Sequence, residues 1–288
     1  MIMFEKYYMA AMGGANGFGN KSIKKLVEYF GNAKTAWFAD EIDLRNSGVR
    51  KNALEFFIQW RKNHTDAPEK LISYCDKHKI NLCCIADDDY PSLLKKTDSP
   101  PMFFYYRGQL APLVQRIAIV GSRRNTPCGR VAALELGEQI AASGFTVVSG
   151  AALGIDTIAH SGALKTGRTV AVLGCGINFK GALERELFLA KIAENGVVLS
   201  EVNPMTIPTA GTLATRNRII AGLCKGIVVV EAALNSGTLI TSNYAVSYGR
   251  DIFAVDNNSE GCVKLIREGA IPIKNACDVL NHYQELKS

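Results

Sequence analysis

Five loops in this chain carry residue types suited to an anionic ligand, and each follows or borders a short apolar run. After Ile117 to Val120 come Gly121, Ser122, Arg123 and Arg124. Glycine permits close backbone approach, serine adds a hydroxyl, and two guanidinium forks match phosphate oxygens. The alternative is a plain turn bearing two solvated arginines. After Thr146 to Ser149, the stretch Ser149-Gly150-Ala151-Ala152-Leu153-Gly154-Ile155-Asp156 reads as a strand-to-helix turn whose amides are free for a phosphate. Asp156 and His160, four apart on one helix face, have acid/base spacing. With no Ser or Cys nucleophile at a recognisable spacing, the favoured reading is that Asp156 caps the helix or orients a loop while His160 packs nearby.

The third loop, Gly174-Cys175-Gly176, lacks the third glycine of a dinucleotide fingerprint, so no NAD is expected. The fourth feature, Thr215-Arg216-Asn217-Arg218, reads as the start of an apolar helix, adding charge to its positive end. One of its arginines has a second possible role, pairing with Glu201 or Glu231. The fifth, Glu231 to Thr241, places Ser236, Gly237 and Thr238 at another helix start. Glu231 is the carboxylate to inspect if the protein is an enzyme.

The elements that must hold these loops follow from periodicity. Apolar runs at Ile117 to Val120, Thr146 to Ser149, Thr169 to Leu173, Val197 to Ser200, Ile227 to Glu231 and Ile252 to Val255 alternate with helical patterns. Those helices are expected over Cys128 to Ala142, Ile155 to Lys165, Ala182 to Glu194, Asn217 to Leu223, Leu239 to Tyr248 and Cys262 to Glu268. Strands without polar alternation, separated by helices, predict a doubly wound, mostly parallel Rossmann-like α/β sheet covered on both faces. Its ligand belongs outside the carboxyl ends of the strands.

Residues 1–65 read differently, as short helices (Phe4 to Met12, Lys21 to Tyr29, Thr35 to Ala39, Val49 to Lys62) with a glycine-rich turn from Gly13 to Asn20. The polar, proline-ended stretch Asn63 to Pro68 predicts a boundary, giving a helical domain over 1–65 and an α/β domain over 66–288.

Composition bounds the rest. A chain of 288 residues, 48% hydrophobic and 21% charged, is neither disordered nor fibrous. Its net charge of +6 is uneven: residues 1–65 carry 10 Lys/Arg against 6 Asp/Glu, and Arg116 to Arg130 holds four arginines and no acid. The eight cysteines have no C-x-x-C pair and no histidine at ligand spacing, so reduced thiols and no metal site are expected. With no apolar run of about 20 residues and no signal-peptide layout, a cytoplasmic protein is expected.

The ordered runs AIVGSRRNTPCGR, VVSGAALGIDTIAHSGAL, TVAVLGCGIN, VVLSE, RNRIIAGL, VVVEAALNSGTLITSNYA and GRDIFAV together resemble the DNA-processing protein A family (DprA, also called Smf). Asp89-Tyr90-Pro91 and Pro100-Pro101 with Gly108 are similar to the family's lead-in. The first helices, with Gly17, Gly19 and Lys21, resemble its SAM or helix-hairpin-helix-like domain and imply possible DNA contacts there. The resemblance implies a non-enzymatic, single-stranded DNA-binding protein of natural transformation that needs no cofactor. Such proteins act as homodimers, protect incoming DNA and help load the RecA recombinase. It implies a phosphate-binding pocket built from Gly121, Ser122, Arg123, Arg124, Ser149, Gly150, Gly154, Asp156, Arg216, Asn217, Arg218, Ser236, Gly237 and Thr238. The alternative within the same superfamily is a nucleotide sensor or phosphoribohydrolase-like protein, but Leu234-Asn235-Ser236-Gly237-Thr238 replaces the hydrolases' glycine-rich loop. The chain departs from the family pattern at Phe179-Lys180-Gly181-Ala182, at Leu213, where an aromatic is usual, and at Asp256-Asn257. Tyr105, Tyr106 and Phe179 are the aromatic candidates to stack on bases instead.

Overall fold

The computed structural model describes residues 4–15, 17–110 and 115–285; Asn16 of the glycine turn lies outside them. Six helices come first: α1 (Glu5–Met12), α2 (Asn20–Phe30), α3 (Ala33–Phe38), α4 (Glu41–Asn46), α5 (Lys51–Asn63) and α6 (Ala67–His78). Local chemistry starts and stops them. Asn32 and Asp40 accept from the Thr35 and Asp43 amides to cap α3 and α4, and Gly31, at φ 80, reverses the chain after α2. Two of these, α4 and α6, have no counterpart among the helices expected from sequence. α6 begins inside the proline-ended stretch, with Pro68 in its first turn, and packs against α1.

Among the described residues nine strands form one sheet: β1 (Asn81–Cys84), β2 (Phe103–Gly108), β3 (Arg116–Val120), β4 (Thr146–Ser149), β5 (Thr169–Leu173), β6 (Val197–Ser200), β7 (Gly226–Val229), β8 (Asp251–Val255) and β9 (Ile271–Ile273). Their order is β1-β2-β6-β5-β4-β3-β7-β8-β9. The expected doubly wound parallel sheet holds from β6 to β9, and β1 and β2 add an antiparallel edge that the Val/Ile-rich pattern does not show. β3 passes to β4, β5 and β6 on one side while β7 pairs with its other side, so the winding direction reverses between β3 and β7. That reversal opens a crevice at the carboxyl ends of these two strands.

Between the strands run α7 (Ser92–Lys95), α8 (Pro127–Ala142), α9 (Ile155–Thr166), α10 (Leu183–Asn195), α11 (Ala210–Leu223), α12 (Gly237–Ser247), α13 (Glu260–Arg267) and, last, α14 (Ala276–Glu285). Period-two alternation sorts the core. Ile117, Ile119 and Val147 pack with α8, α9 and α14, whereas Ala118, Val120 and Val148 pack with α11, α12 and α13. A third buried cluster is continuous from Met12 and Phe57 of the helical layer to Phe103, Tyr105 and Leu173 of the sheet. Tyr105 is therefore spent in the core and is unavailable to stack on a base. Among the described residues, no helix is long and apolar enough to cross a membrane.

Two glycines set how closely α8 and α9 approach. A Cβ on Gly137 would run into the Ala159 carbonyl, and one on Gly162 into the Leu134 carbonyl. Alanine in a helix is favoured over glycine by about 1 kcal/mol, but backbone against backbone cannot yield as a flexible side chain does. Gly162→Ala is therefore expected to lower stability by about 1–3 kcal/mol in urea unfolding. An unchanged or raised midpoint would show that the helices separate freely.

Candidate functional site

The loops singled out in the sequence do converge on the carboxyl end of the sheet, but they divide into two kinds. Those after β4 and within α11 use their polar groups on each other. Those after β3 and β7 leave groups exposed along the crevice.

Arg216 organises the first kind. It is buried, and its Nη1 donates to the Gly150 carbonyl at 2.6 Å and to the Val172 carbonyl, while Nε donates to Asn217 Oδ1 at 3.1 Å. Gly150 is glycine for that reason: a Cβ there would lie 2.6 Å from Arg216 Nη2. The Asp156 carboxylate accepts from the amides of Gly150 (3.1 Å) and Ala152 (3.4 Å), filling the seat that a phosphate would take on this turn. Burial pushes its carboxyl above the usual range, opposed by the Arg216 charge and by these amides. Gly154, at φ 99, begins α9 against the Ser122 carbonyl, to which the Ile155 amide donates at 3.2 Å. Of the amides expected to be free at this turn, those of Gly150, Ala152 and Ile155 are thus in use.

His160 is fully buried, with Nδ1 2.6 Å from Thr169 Oγ1. The Thr169 hydroxyl already donates to the Val147 carbonyl at 2.8 Å, so it accepts here and Nδ1 carries the imidazole proton. Burial, then the Arg216 charge, pushes its pKa down to about 3. A neutral, enclosed imidazole holding α9 to β5 fits the packing role favoured from sequence, as does Asp156 orienting its loop. Ser149 is likewise structural, donating to the Ile119 carbonyl at 2.6 Å.

The Arg216-Asn217-Arg218 triplet does not open its helix. Thr209 and Thr212 form a reciprocal capping box that begins α11 at Ala210, so the triplet lies two turns in, away from the positive end. Pro208 and Gly211 disguise that start in the sequence. Arg218 is buried and pairs with Glu201, one of the two acids named for that role, and donates to the Ser99 carbonyl at 2.7 Å. Glu201 also accepts from Asn20 Nδ2 at 2.6 Å, and Asn20 Oδ1 accepts from the Met102 amide. Asn20 was not singled out in the sequence, yet this clasp joins α2, β2 and α11. It leaves Gly17, at φ 77, with Gly19 and Lys21 exposed beside it at the start of α2.

The second kind borders the crevice. Gly121 is pinned by Ile155, whose Cγ1 would lie 2.7 Å from a Cβ there. Ser122 folds its own turn, with Oγ accepting from the Arg124 amide and donating to the Arg124 carbonyl, and its amide donates to the Glu231 carbonyl at 2.8 Å. Arg123 and Arg124 project from this turn exposed, whereas Arg116 is buried in β3. Across the crevice, Asn217 Nδ2 donates to the Gly237 carbonyl at 3.1 Å and so holds the start of α12. Gly237 is exposed, with nothing within 4 Å of a Cβ position, and the first turn of α12 has no acid. The buried Ser236 Oγ finds no partner among the described residues, and Thr238 is buried behind it. A helix start that no side chain caps, on the same sheet edge as two exposed guanidiniums, suits an anion. Glu231 faces elsewhere: its carboxylate is buried and accepts from the amide and hydroxyl of Thr126, holding the start of α8. It is occupied where hydrolysis would need it free.

Two predictions separate the kinds. Arg216→Ala, which opens a hole beside buried Asp156, is expected to cost about 3–5 kcal/mol in denaturant unfolding. Arg123→Ala should leave the unfolding midpoint unchanged; the reverse pattern would exchange the two roles. The second concerns acid. The folded chain protonates His160 only near pH 3, whereas an unfolded histidine protonates below its ordinary value of 6.5. Acidification through that window draws protons to the unfolded state, so stability falls as pH falls. His160→Asn should flatten the decline of melting temperature between about pH 6.5 and 3 relative to wild type; parallel curves would contradict the burial argument.

Comparison with known proteins gives this geometry its context. A family model described as DNA recombination-mediator protein A matches residues 81–284. Protein Smf of Synechocystis is 35% identical over 94% of this chain and 70% of its own length. DNA processing protein DprA of Streptococcus pneumoniae is 34% identical over 93% of this chain and 95% of its own. The X-ray structure of DNA processing protein A from S. pneumoniae superimposes with a TM-score of 0.81 at 33% identity, covering 96% of this chain and 97% of that one. The corresponding protein from Helicobacter pylori, whose structure concerns its single-stranded DNA binding mode, gives a TM-score of 0.66 at 27% identity over 72% of this chain and 96% of that one. By the model match and by these relatives, the chain belongs to the DNA recombination-mediator protein A family, the DprA/Smf proteins.

Proposed function

We propose that the crevice between β3 and β7 binds successive phosphates of single-stranded DNA, and that the protein serves natural transformation without covalent chemistry of its own. The observation that carries this reading is the exposed Arg123–Arg124 pair on a turn fixed by the Ser122 amide and Glu231 carbonyl, at the same carboxyl edge of the sheet as the start of α12, which no side chain caps. Guanidinium forks and helix amides grip backbone phosphate and read no sequence, as binding to arbitrary incoming DNA requires. The single-stranded DNA binding described for the H. pylori relative supports the same assignment.

Gly121 and Gly154 shape the pocket wall in this reading. Asp156, Ser149, Gly150, Arg216, Asn217 and Arg218 act behind it as supports, and Ser236, Gly237 and Thr238 present amides. Gly17, Gly19 and Lys21 are additional contacts at the helical end. A cytoplasmic homodimer that delivers the strand to the RecA recombinase completes the proposal, together with a division of the chain into folding units 1–65 and 66–288. A dimer would lengthen the DNA path and raise avidity without new kinds of contact.

The test is fluorescence anisotropy with labelled oligothymidylate across a salt series. The logarithm of affinity should fall linearly with the logarithm of salt, by about 0.7 per phosphate neutralised. Arg123→Ala should weaken binding and lower that slope by about one contact. No binding at low salt, or an affinity indifferent to Arg123, would overturn the assignment.

A further inference from the structure

The helical layer carries a second feature that the crevice does not explain. Two hollows flank it, one of about 320 Å³ bounded by α1, α6 and residues Asn203–Met205 of the loop after β6, the other of about 280 Å³ beside Phe56 and Gln59. Gly14, Trp60 and His64 line both. The Trp60 indole and His64 imidazole are stacked, with centroids 4.5 Å apart and planes 7° from parallel. His64 Nδ1 lies 2.8 Å from the Trp60 carbonyl oxygen, so the pair is held in register by its own backbone. Trp60 is braced edge-on by buried Trp37 at 6.1 Å, and a Cβ on Gly14 would press to 2.8 Å from its Cζ2. Core packing accounts for Trp60's inner edge. It does not account for the exposed imidazole laid flat upon it, or for Phe56, which is 62% exposed.

Preorganised parallel rings at a surface offer a π face at little further entropic cost, which is what an unpaired nucleobase stacks upon. Position and charge point to the same occupant. Along the sheet the order from the crevice is β3, β4, β5, β6, so β6, whose following loop supplies Asn203–Met205, lies about 15 Å from β3, three strand spacings. That span is a few nucleotides. Asn178, in the intervening loop after β5, donates to the Tyr74 hydroxyl at 2.6 Å and so fixes the helical layer against this edge. Residues 1–65 carry a net +4, and Lys70 lines the larger hollow, where its pairing with Asp66 at 2.8 Å neutralises that acid.

We propose that the Trp60–His64 pair is a base-stacking shelf for the same single strand whose phosphates lie in the crevice. This rests on the single-stranded DNA reading above and extends it from the sheet to the helical layer.

The experiment uses full-length protein carrying Trp37→Phe, which leaves Trp60 as the only tryptophan of the two. It is titrated with one oligothymidylate short enough to fill the crevice alone and one long enough to reach α5. Trp60 fluorescence should be quenched by the long oligonucleotide only. His64→Ala should weaken binding of the long one by about fivefold or more, the equivalent of about 1 kcal/mol of stacking, and leave the short one unchanged. His64→Phe should restore it, which loss of a charge or hydrogen bond would not. If the long oligonucleotide binds with Arg123 sensitivity while Trp60 fluorescence and the His64→Ala affinity do not move, the shelf is wrong and the crevice stands. If neither oligonucleotide binds, both fall. A Trp60 change that follows protein concentration without DNA, with dimer formation on sizing, would assign the hollow to a second copy and overturn the shelf.

Discussion

A guanidinium placed where β4 and β5 end is the constraint on which the rest of this edge depends. Arg216 reaches the Gly150 and Val172 carbonyls and Asn217, and its charge opposes the effect of burial on Asp156. Removing such a group leaves several carbonyls and a carboxyl without their counterpart in low dielectric, a far larger penalty than the net worth of the contacts. The neighbouring choices follow from it. Gly150 must lack a side chain, Asp156 must fold its turn inward, and Asn217 is left to hold the start of α12. Asp156, Ser149, Arg216 and Asn217 are thereby engaged within this half of the edge, whereas Arg123 and Arg124 of the β3 loop stay exposed.

The same logic explains why the two arginine pairs of the chain are unlike. Arg216 and Arg218 sit within α11 and are buried; their contribution is to fix distances between loops. Arg123 and Arg124 stand on a four-residue turn whose backbone is tied by Ser122 and Glu231, so two flexible side chains project from a rigid base. A rigid base with mobile, exposed cations grips a phosphate chain without demanding one sequence. The Glu201 clasp, shared by Arg218 and Asn20, ties α11 to the start of α2 in the helical layer that carries the Trp60–His64 stack.

Much of this was legible in the residues. Continuous apolar runs such as Ile117 to Val120 and Thr169 to Leu173 become fully buried parallel strands because both faces are covered, and helices fill the intervals as periodicity requires. β1 and β2 escaped because an antiparallel edge built from Cys and aromatics, with sequence-distant partners, has no Val/Ile signature. The start of α11 escaped because Pro208 and Gly211 look like a loop, whereas the Thr209–Thr212 capping box decides it. Site residues were found by type and spacing, but spacing cannot tell a guanidinium turned to solvent from one turned to a carbonyl. Only the burial of Arg216 and Arg218 makes that distinction, and Trp60 and His64 gave no motif because a stack at four-residue spacing resembles ordinary helix packing.

The central claim is that exposed Arg123 and Arg124 meet the ligand while buried Arg216 supports the loops. A crystal structure with a short oligothymidylate tests it most directly. The account predicts a phosphate within hydrogen-bond distance of the Gly121–Arg124 turn and the α12 amides, with Arg216 still donating to the Gly150 and Val172 carbonyls. A phosphate held by Arg216, with Asp156 displaced from the Gly150 amide, would contradict it.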